Sequence, residues 1–141
     1  MIAAFLLNSL VVSITVIIHY EFLFRITVFV PKMKIRHRFR IVVGVFSALI
    51  AHAIEIWVFA LAYFYMHTTE GWGRLEGNFD GSLMDFGYFS FTTFTTLGFG
   101  DISPHGHIRY LTGIESLTGL VLITWTASFL YYEMQRYWDL K

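Results

Sequence analysis

Cysteine is absent from this 141-residue chain, proline occurs twice, and charged residues make up only 14% of the sequence. The lack of cysteine excludes disulfides and thiolate metal sites. Ten basic residues balance ten acidic ones, so no overall positive field favours a nucleic-acid partner. Soluble proteins carry about 25% charged residues, and the lower content here argues against an ordinary soluble enzyme. No paired nucleophile and base, metal triad or cofactor motif is evident, so we predict neither catalysis nor an organic cofactor.

Apolar surface is abundant: 56% of the residues are hydrophobic and 19% are aromatic. A chain of this length buries only about 60–70% of its unfolded area, so this composition predicts a membrane protein. A spanning helix needs about 20 apolar residues, and three stretches qualify, at residues 2–18, 41–66 and 108–134. A fourth stretch, residues 86–97, has about half the spanning length and is predicted to be re-entrant.

Charged residues in the two connecting segments predict the orientation. The first segment is strongly basic, whereas the second carries four acidic residues and one arginine. By the positive-inside rule, the first segment is cytoplasmic. The protein would then cross the cell membrane with its N-terminus outside the cell and its C-terminus in the cytoplasm. The basic residues either only fix this topology or also bind anionic lipid. They are Lys32, Lys34, Arg36, Arg38 and Arg40.

The short apolar stretch leads into a run rich in threonine and glycine. In lipid an unpaired carbonyl costs several kcal/mol, so irregular backbone at membrane depth must line water or be buried in protein. Glycine accepts backbone angles that other residues resist, so such a run can extend with consecutive carbonyls facing one way. Rings of these carbonyls can replace the hydration shell of a monovalent cation. The run reads Thr95-Thr96-Leu97-Gly98-Phe99-Gly100-Asp101.

Residues 96–101 resemble the selectivity filter of potassium channels, TVGYG, with Leu97 in place of valine and Phe99 in place of tyrosine. The resemblance covers helix, pore segment and helix over residues 41–134. It is strongest toward the small prokaryotic one-pore channel proteins often labelled two-pore-domain-like. In those proteins arginine, glutamate and glycine also recur in the last helix, as they do here at Arg109, Glu115 and Gly119.

The resemblance implies an all-α membrane protein with three transmembrane helices, a re-entrant pore helix and a filter loop, assembled as a homotetramer around one pore. It divides the chain into an N-terminal helix with its basic linker, residues 1–40, and a pore domain, residues 41–141. Within that domain the pore helix is expected at residues 86–95 and the filter at residues 96–101.

The resemblance also assigns roles to single residues. Potassium is the only ligand expected. It would be coordinated by the backbone carbonyls of Thr96, Leu97, Gly98 and Phe99 and by the side-chain hydroxyl of Thr96. Thr95, Gly100 and Asp101 would support the filter. Many family members place an acid on the pore helix where this chain has Thr92, and Glu115 is the expected substitute support. Gly119 occupies the place of a flexible glycine that takes part in gating.

His52 and Glu55 lie inside the second apolar stretch, three residues apart and therefore on one helix face. Ionisable groups inside a membrane are costly and indicate function. One interpretation is a proton sensor or cation site involved in gating, and the other is an interhelical hydrogen bond within the tetramer. Without a third ligand, the pair is weak evidence for a metal site.

Three functions stay open on the sequence. The motif favours a tetrameric, potassium-selective channel that conducts passively. A looser filter around Leu97 and Phe99 would give a weakly selective cation channel. A nonconducting membrane subunit that regulates other channels is the third, although such a subunit has no need of an intact filter run.

Overall fold

A computed structural model of the protein describes residues 2–138. Three of its helices are long and apolar enough to cross a membrane, and a short helix and a two-stranded sheet complete the fold. In chain order the elements are α1 (Ile2–Phe29), a 3-10 turn (Val30–Lys32), α2 (His37–Thr68), β1 (Gly73–Gly77), α3 (Leu83–Phe94), β2 (Ile102–Gly106) and α4 (Ile108–Tyr137). The predicted pore domain ends with residues 139–141, which lie outside the described residues.

The long helices extend beyond their predicted apolar stretches. α1 was expected to end at residue 18 but continues to Phe29, and Pro31 lies at the start of the 3-10 turn that follows. α2 begins four residues before the predicted stretch, so Arg38 and Arg40 are helical rather than part of a linker. The non-helical connection is therefore only residues 33–36. Apolar length marks the part of a helix inside the membrane, whereas the helix itself continues into the polar interface.

The sheet is a feature that the sequence did not predict. β1 pairs antiparallel with β2, with Gly73 opposite Gly106 and Gly77 opposite Ile102. Because one strand precedes α3 and the other follows the threonine- and glycine-rich run, the pair brings the chain back to the side where α3 began. The strands contain three glycines and a proline, residues depleted in strands, which explains why no strand was expected.

The core lies where α2, α3 and α4 meet. Its largest fully buried side chains are aromatic or aliphatic and come from these three helices. They interdigitate around the short helix, so α3 is held by packing on both neighbours rather than by its own length. They include Phe59, Tyr63, Met66, Phe86, Phe94, Leu111 and Leu122.

α1 packs through a stripe that mixes polar and apolar side chains. Its buried residues recur every three or four positions: Asn8, Val11, Thr15, His19, Leu23 and Ile26. The other faces of α1 carry exposed leucine, isoleucine and phenylalanine, as a lipid-facing helix does. Between membrane helices, polar side chains hydrogen-bond across the interface, so this stripe faces α2 and α4 rather than lipid.

Candidate functional site

α3 is a half-length helix whose beginning is capped by side chains. Ser82 Oγ accepts a hydrogen bond from the Asp85 N–H at 3.2 Å, and an Asp85 carboxylate oxygen accepts one from the Asp80 N–H at 2.7 Å. Serine is a favoured N-cap, and a carboxylate in the first turn complements the helix dipole. The 12 residues of α3 span about 18 Å, too short for a hydrocarbon layer of about 30 Å. The helix is therefore re-entrant, and the chain turns back after Phe94.

The filter segment, which we define as residues 96–101, alternates in backbone handedness. Positive φ angles occur at Thr96 (59°), Gly98 (50°) and Gly100 (79°), but not at Leu97 or Phe99. A chain in which positive and negative φ alternate is neither helix nor strand, so its carbonyls are not committed to a regular hydrogen-bond ladder. A β-branched residue at positive φ costs about 1–3 kcal/mol and is found where a ligand site requires it. This backbone therefore has the form that a row of carbonyl ligands needs.

Two backbone hydrogen bonds tie the filter segment to the end of α3. The Thr96 N–H donates to the Thr93 carbonyl at 2.9 Å, and the Gly98 N–H donates to the Thr92 carbonyl at 3.0 Å. Carbonyls in the last turn of a helix lack partners within that helix, and these bonds satisfy two of them. Thr92, the position at which the resemblance leads one to expect an acid, thus holds the segment through its backbone carbonyl.

The two faces of the filter segment differ in polarity. Leu97 and Phe99 are 58% and 65% exposed, and they border an apolar cleft of about 410 Å³ whose far wall includes Trp57. The opposite face borders a groove of about 260 Å³ that reaches Thr112 and Ser116 of α4 and contains several hydroxyl groups. Exposed apolar patches of this kind mark interaction surfaces.

Asp101 is held by a tyrosine of α3. The Tyr88 hydroxyl donates to Asp101 Oδ2 at 2.8 Å, and the Tyr88 ring stacks on Phe99 at 6.4 Å between centroids with an interplanar angle of 4°. The hydrogen bond to the Asp101 carboxylate raises the pKa of the Tyr88 hydroxyl. The partner of Asp101 is therefore a tyrosine and not an acid behind the filter. The sequence did not predict this pair, because the two residues are 13 positions apart and lie in different parts of the fold.

Glu115 supports α3 rather than the filter segment itself. The side chain is fully buried, and its two oxygens accept hydrogen bonds from Ser90 Oγ and the Tyr63 hydroxyl, both at 2.5 Å. Ser90 Oγ also lies 2.7 Å from the Ile56 carbonyl. The expected substitute contact to the filter is thus replaced by a junction of α2, α3 and α4 in the middle of α3.

Gly119 lies where α4 touches the end of α3. A Cβ atom at this position would lie 2.1 Å from the Phe94 carbonyl oxygen, so only glycine allows this approach of the two helices. The structure therefore supplies a packing reason for Gly119, whereas the sequence had suggested a flexible gating position.

His52 and Glu55 belong to a cluster that also includes His19 of α1 and Thr126 of α4. His19 Nδ1 and His52 Nδ1 each lie 2.9 Å from a different oxygen of Glu55. The Nε2 atoms of the two rings lie 3.4 Å and 3.0 Å from Thr126 Oγ1. We call these four side chains the His–Glu ring. One ligand atom from each of His19, His52 and Glu55 lies within 4.8 Å of the other two, so a proton and a metal ion are both possible occupants of the ring.

His19 and Thr126 were not singled out from the sequence. One signal was available for His19, because it continues the buried three-to-four spacing of Val11 and Thr15 along α1. The hydrogen bond between the predicted pair is present, but it lies within α2, and the bonds between helices go to α1 and α4 of the same chain.

The basic residues at the turn between α1 and α2 are mostly solvent-facing. Lys32 lies over the Phe29 ring at 5.8 Å, Lys34 and Arg36 are exposed, and an Arg40 nitrogen donates to the Met33 carbonyl at 3.2 Å. These positions form a positive cluster at one end of the helix bundle.

A known protein family matches the part of the chain that contains most of these residues. A family model described as "Ion channel" matches residues 41–136, which include nearly all of α2, the sheet, α3, the filter segment and α4. No curated protein and no solved structure shows a significant match. α1, which supplies His19, lies outside the matched residues.

Proposed function

The chain belongs to the ion-channel family whose model covers residues 41–136, and we propose that it forms a homotetrameric, potassium-selective channel that conducts passively. The observation that carries the proposal is the alternating positive φ at Thr96, Gly98 and Gly100 directly after a half-length helix. Membership of this family makes the protein a membrane channel rather than an enzyme, and potassium selectivity is the finer statement that we add.

In the proposed pore, potassium is bound by the carbonyls of residues 96–99 and by the Thr96 hydroxyl. Carbonyl rings replace the hydration shell of the ion, so no further cofactor is required. The C-terminal end of α3 carries partial negative charge, which favours a cation just inside the filter. Thr95, Gly100 and Asp101 support the segment, with Asp101 anchored by Tyr88.

One chain supplies one filter segment, and a closed ring of carbonyls needs four of them around an axis. The exposed side chains of Leu97 and Phe99 and the apolar cleft beside Trp57 are consistent with coverage by a neighbouring copy. The proposed orientation places the basic turn in the cytoplasm and the sheet outside, in the cell membrane. Anionic lipid headgroups are the proposed partners of the basic turn.

The first test is the reversal potential of purified protein in planar bilayers, with potassium on one side and sodium on the other. We expect reversal near the potassium equilibrium potential. Gly98→Ala places a side chain at φ +50°, which L-residues adopt at a cost of about 1–2 kcal/mol, and is expected to abolish selectivity. Gly113→Ala is the matched control, because its added Cβ also meets open space but has no positive φ.

Other outcomes distinguish the alternatives. Reversal near zero in the unmodified protein would keep the pore and replace potassium selectivity with a loose cation filter. Silence at all voltages and pH values would favour a nonconducting regulatory subunit. Equal selectivity of the Gly98→Ala and Gly113→Ala variants would contradict the assignment of residues 96–99 as the filter.

A further inference from the structure

The His–Glu ring is a closed circuit of four polar contacts between three helices. Two contacts join Glu55 to the Nδ1 atoms of His19 and His52 at 2.9 Å, and two join Thr126 Oγ1 to their Nε2 atoms at 3.0 Å and 3.4 Å. His19 is 1% and Glu55 0% exposed. With so little water available, each contact must be satisfied within the ring.

A count of protons shows what the ring lacks. With Glu55 ionised, it accepts one Nδ1–H from each neutral imidazole, and this leaves a lone pair on both Nε2 atoms. Thr126 has one hydroxyl proton, which it can donate to only one of the two. The other contact then brings a nitrogen lone pair against an oxygen lone pair. One additional proton on that Nε2 makes it a donor to Thr126, and every contact then holds one proton.

The charge balance favours a proton over a metal ion. One added proton gives an imidazolium next to the Glu55 carboxylate, so the ring as a whole is neutral. A divalent cation held by two imidazoles and one carboxylate would leave a net positive charge in a membrane interior, where uncompensated charge is costly. It would also have to displace the Nδ1 protons that Glu55 accepts.

No other charged side chain of the described residues has a recorded bond to the ring. Apart from its own members, the ring is faced by the Trp125 ring of α4, 5.1 Å from His19, and by the Phe94 ring of α3, 5.8 Å from His52. Ionisable groups elsewhere on these helices bond to other partners: Glu21 to Arg25, Glu115 to Tyr63 and Ser90, and Glu133 to Arg136. The charge of Glu55 therefore has to be balanced from within the ring.

We propose that His19, His52, Glu55 and Thr126 form a binding site for a single proton, which fastens α1 to the pore domain. The ligand is the proton itself. His52 is the ring member that is partly exposed, at 15%, so it is the point at which the proton is exchanged. Loss of the proton leaves one of the two Thr126 contacts without a hydrogen. At the longer of them, 3.4 Å to His19 Nε2, this weakens the link between α1 and α4. The site does not depend on whether the channel conducts.

Nitrogen-15 NMR of histidine-labelled protein in lipid nanodiscs tests the proposal directly by counting ring N–H groups. Signals lost in His19→Gln and His52→Gln identify the two rings. As the pH falls from 9 to 5, we expect the pair to gain one proton in total, from two N–H groups to three, with both Nδ1 atoms protonated throughout. A count that stays at two, or that reaches four, overturns the single-proton site. A chelator-sensitive Nδ1 without hydrogen shows a metal site instead.

A pair of near-isosteric variants tests the closure of the ring. Thr126→Val removes the hydroxyl that bridges the two Nε2 atoms. We expect the same single proton to bind only at a proton concentration about tenfold higher, which is the effect of losing one hydrogen bond. Thr124→Val removes a hydroxyl from the same helix that bonds only to backbone carbonyls, so its titration is expected to match the unmodified protein. Glu55→Gln should abolish the uptake above pH 5. Unchanged uptake in Thr126→Val or Glu55→Gln overturns the proposal.

Discussion

Hydrogen bonds from hydroxyl groups to acidic side chains hold the filter segment at its last residue and α3 at its middle. Tyr88 anchors Asp101, the last residue of the filter segment, while Tyr63 and Ser90 bind Glu115 behind the middle of α3. Because each bond joins different elements, a few such side chains hold in place a backbone that has no regular secondary structure of its own.

The contact between Tyr88 and Asp101 has a consequence for pH dependence. The hydrogen bond to the Asp101 carboxylate raises the Tyr88 pKa, because ionisation removes the proton that the phenol donates and also places a second negative charge beside the carboxylate. The contact is therefore present below the usual tyrosine pKa of about 10 and is lost as pH rises through the higher value of the folded protein. We expect Asp101→Asn to move the Tyr88 pKa back toward its usual value.

Absorbance titration of tyrosinate, with Tyr88→Phe to identify the transition, measures this effect. Glu76→Gln serves as the control, because Glu76 is an exposed acid that pairs with Arg74 at 2.6 Å and has no recorded tyrosine contact. An Asp101→Asn variant that titrates like the Glu76→Gln variant would show that the carboxylate does not act on Tyr88.

Removal of the Glu115 carboxylate should destabilise the fold strongly. Glu115→Ala leaves the Tyr63 and Ser90 hydroxyls without this acceptor and opens a cavity among three helices, and we expect a loss of about 2–4 kcal/mol in the free energy of unfolding. Unfolding of the detergent-solubilised protein by denaturant measures the loss. The exposed Glu76→Ala change should stay within about 0.5 kcal/mol, and a similar value for Glu115→Ala would contradict the junction.

Helices in this protein are positioned by close approach as much as by apolar burial. α3 is too short to be stable alone and is clamped between α2 and α4 by aromatic packing, by Glu115 and by the Phe94 carbonyl at Gly119. α1 is different, because its contact stripe contains polar side chains, and His19 joins it to α2 and α4 through the His–Glu ring.

Two glycines of α4 provide a matched comparison of packing and helix propensity. A Cβ at Gly119 would clash with the Phe94 backbone, whereas a Cβ at Gly113 meets nothing within 4 Å. We expect Gly119→Ala to cost about 1–3 kcal/mol through overpacking, and Gly113→Ala to be neutral or stabilising by up to about 1 kcal/mol. Thermal unfolding in detergent compares them. Equal midpoints would mean that α4 moves freely and that Gly119 is not a packing contact.

The complete channel has to cover the apolar surface that one chain leaves open beside the filter segment. Leu97, Phe99 and Phe91 are each more than half exposed, and water or lipid at a carbonyl ring would compete with ion binding. In the proposed tetramer, symmetry covers four such surfaces at once, so assembly and formation of the proposed ion site depend on each other.

The assembly is testable by mass. Native mass spectrometry of the detergent-released protein should give a particle of four times the 16.4 kDa chain mass. Replacing Phe91 on this open face with glutamate should reduce the tetramer by desolvating a charge at the interface. Tyr110→Glu, at an exposed position on α4 away from this cleft, is the control. Tetramers that persist equally in both variants would place the subunit interface elsewhere.

Local patterns in the chain were sufficient for the membrane class, the three long helices and the place of the short one. Apolar length and the order of threonine and glycine are properties of neighbouring residues, and the family match over residues 41–136 agrees with them. Helix ends were less predictable, because α1 and α2 continue beyond the apolar stretches into polar sequence.

Tertiary structure alone decided which polar groups meet. His19 and Thr126 are 107 positions apart, and Tyr63 and Glu115 are 52 apart, so no local spacing could pair them. The β1–β2 sheet likewise depends on register across α3 and the filter segment rather than on strand propensity. A polar side chain within an apolar helix shows that a partner is needed; only the packing of the helices determines which partner it finds.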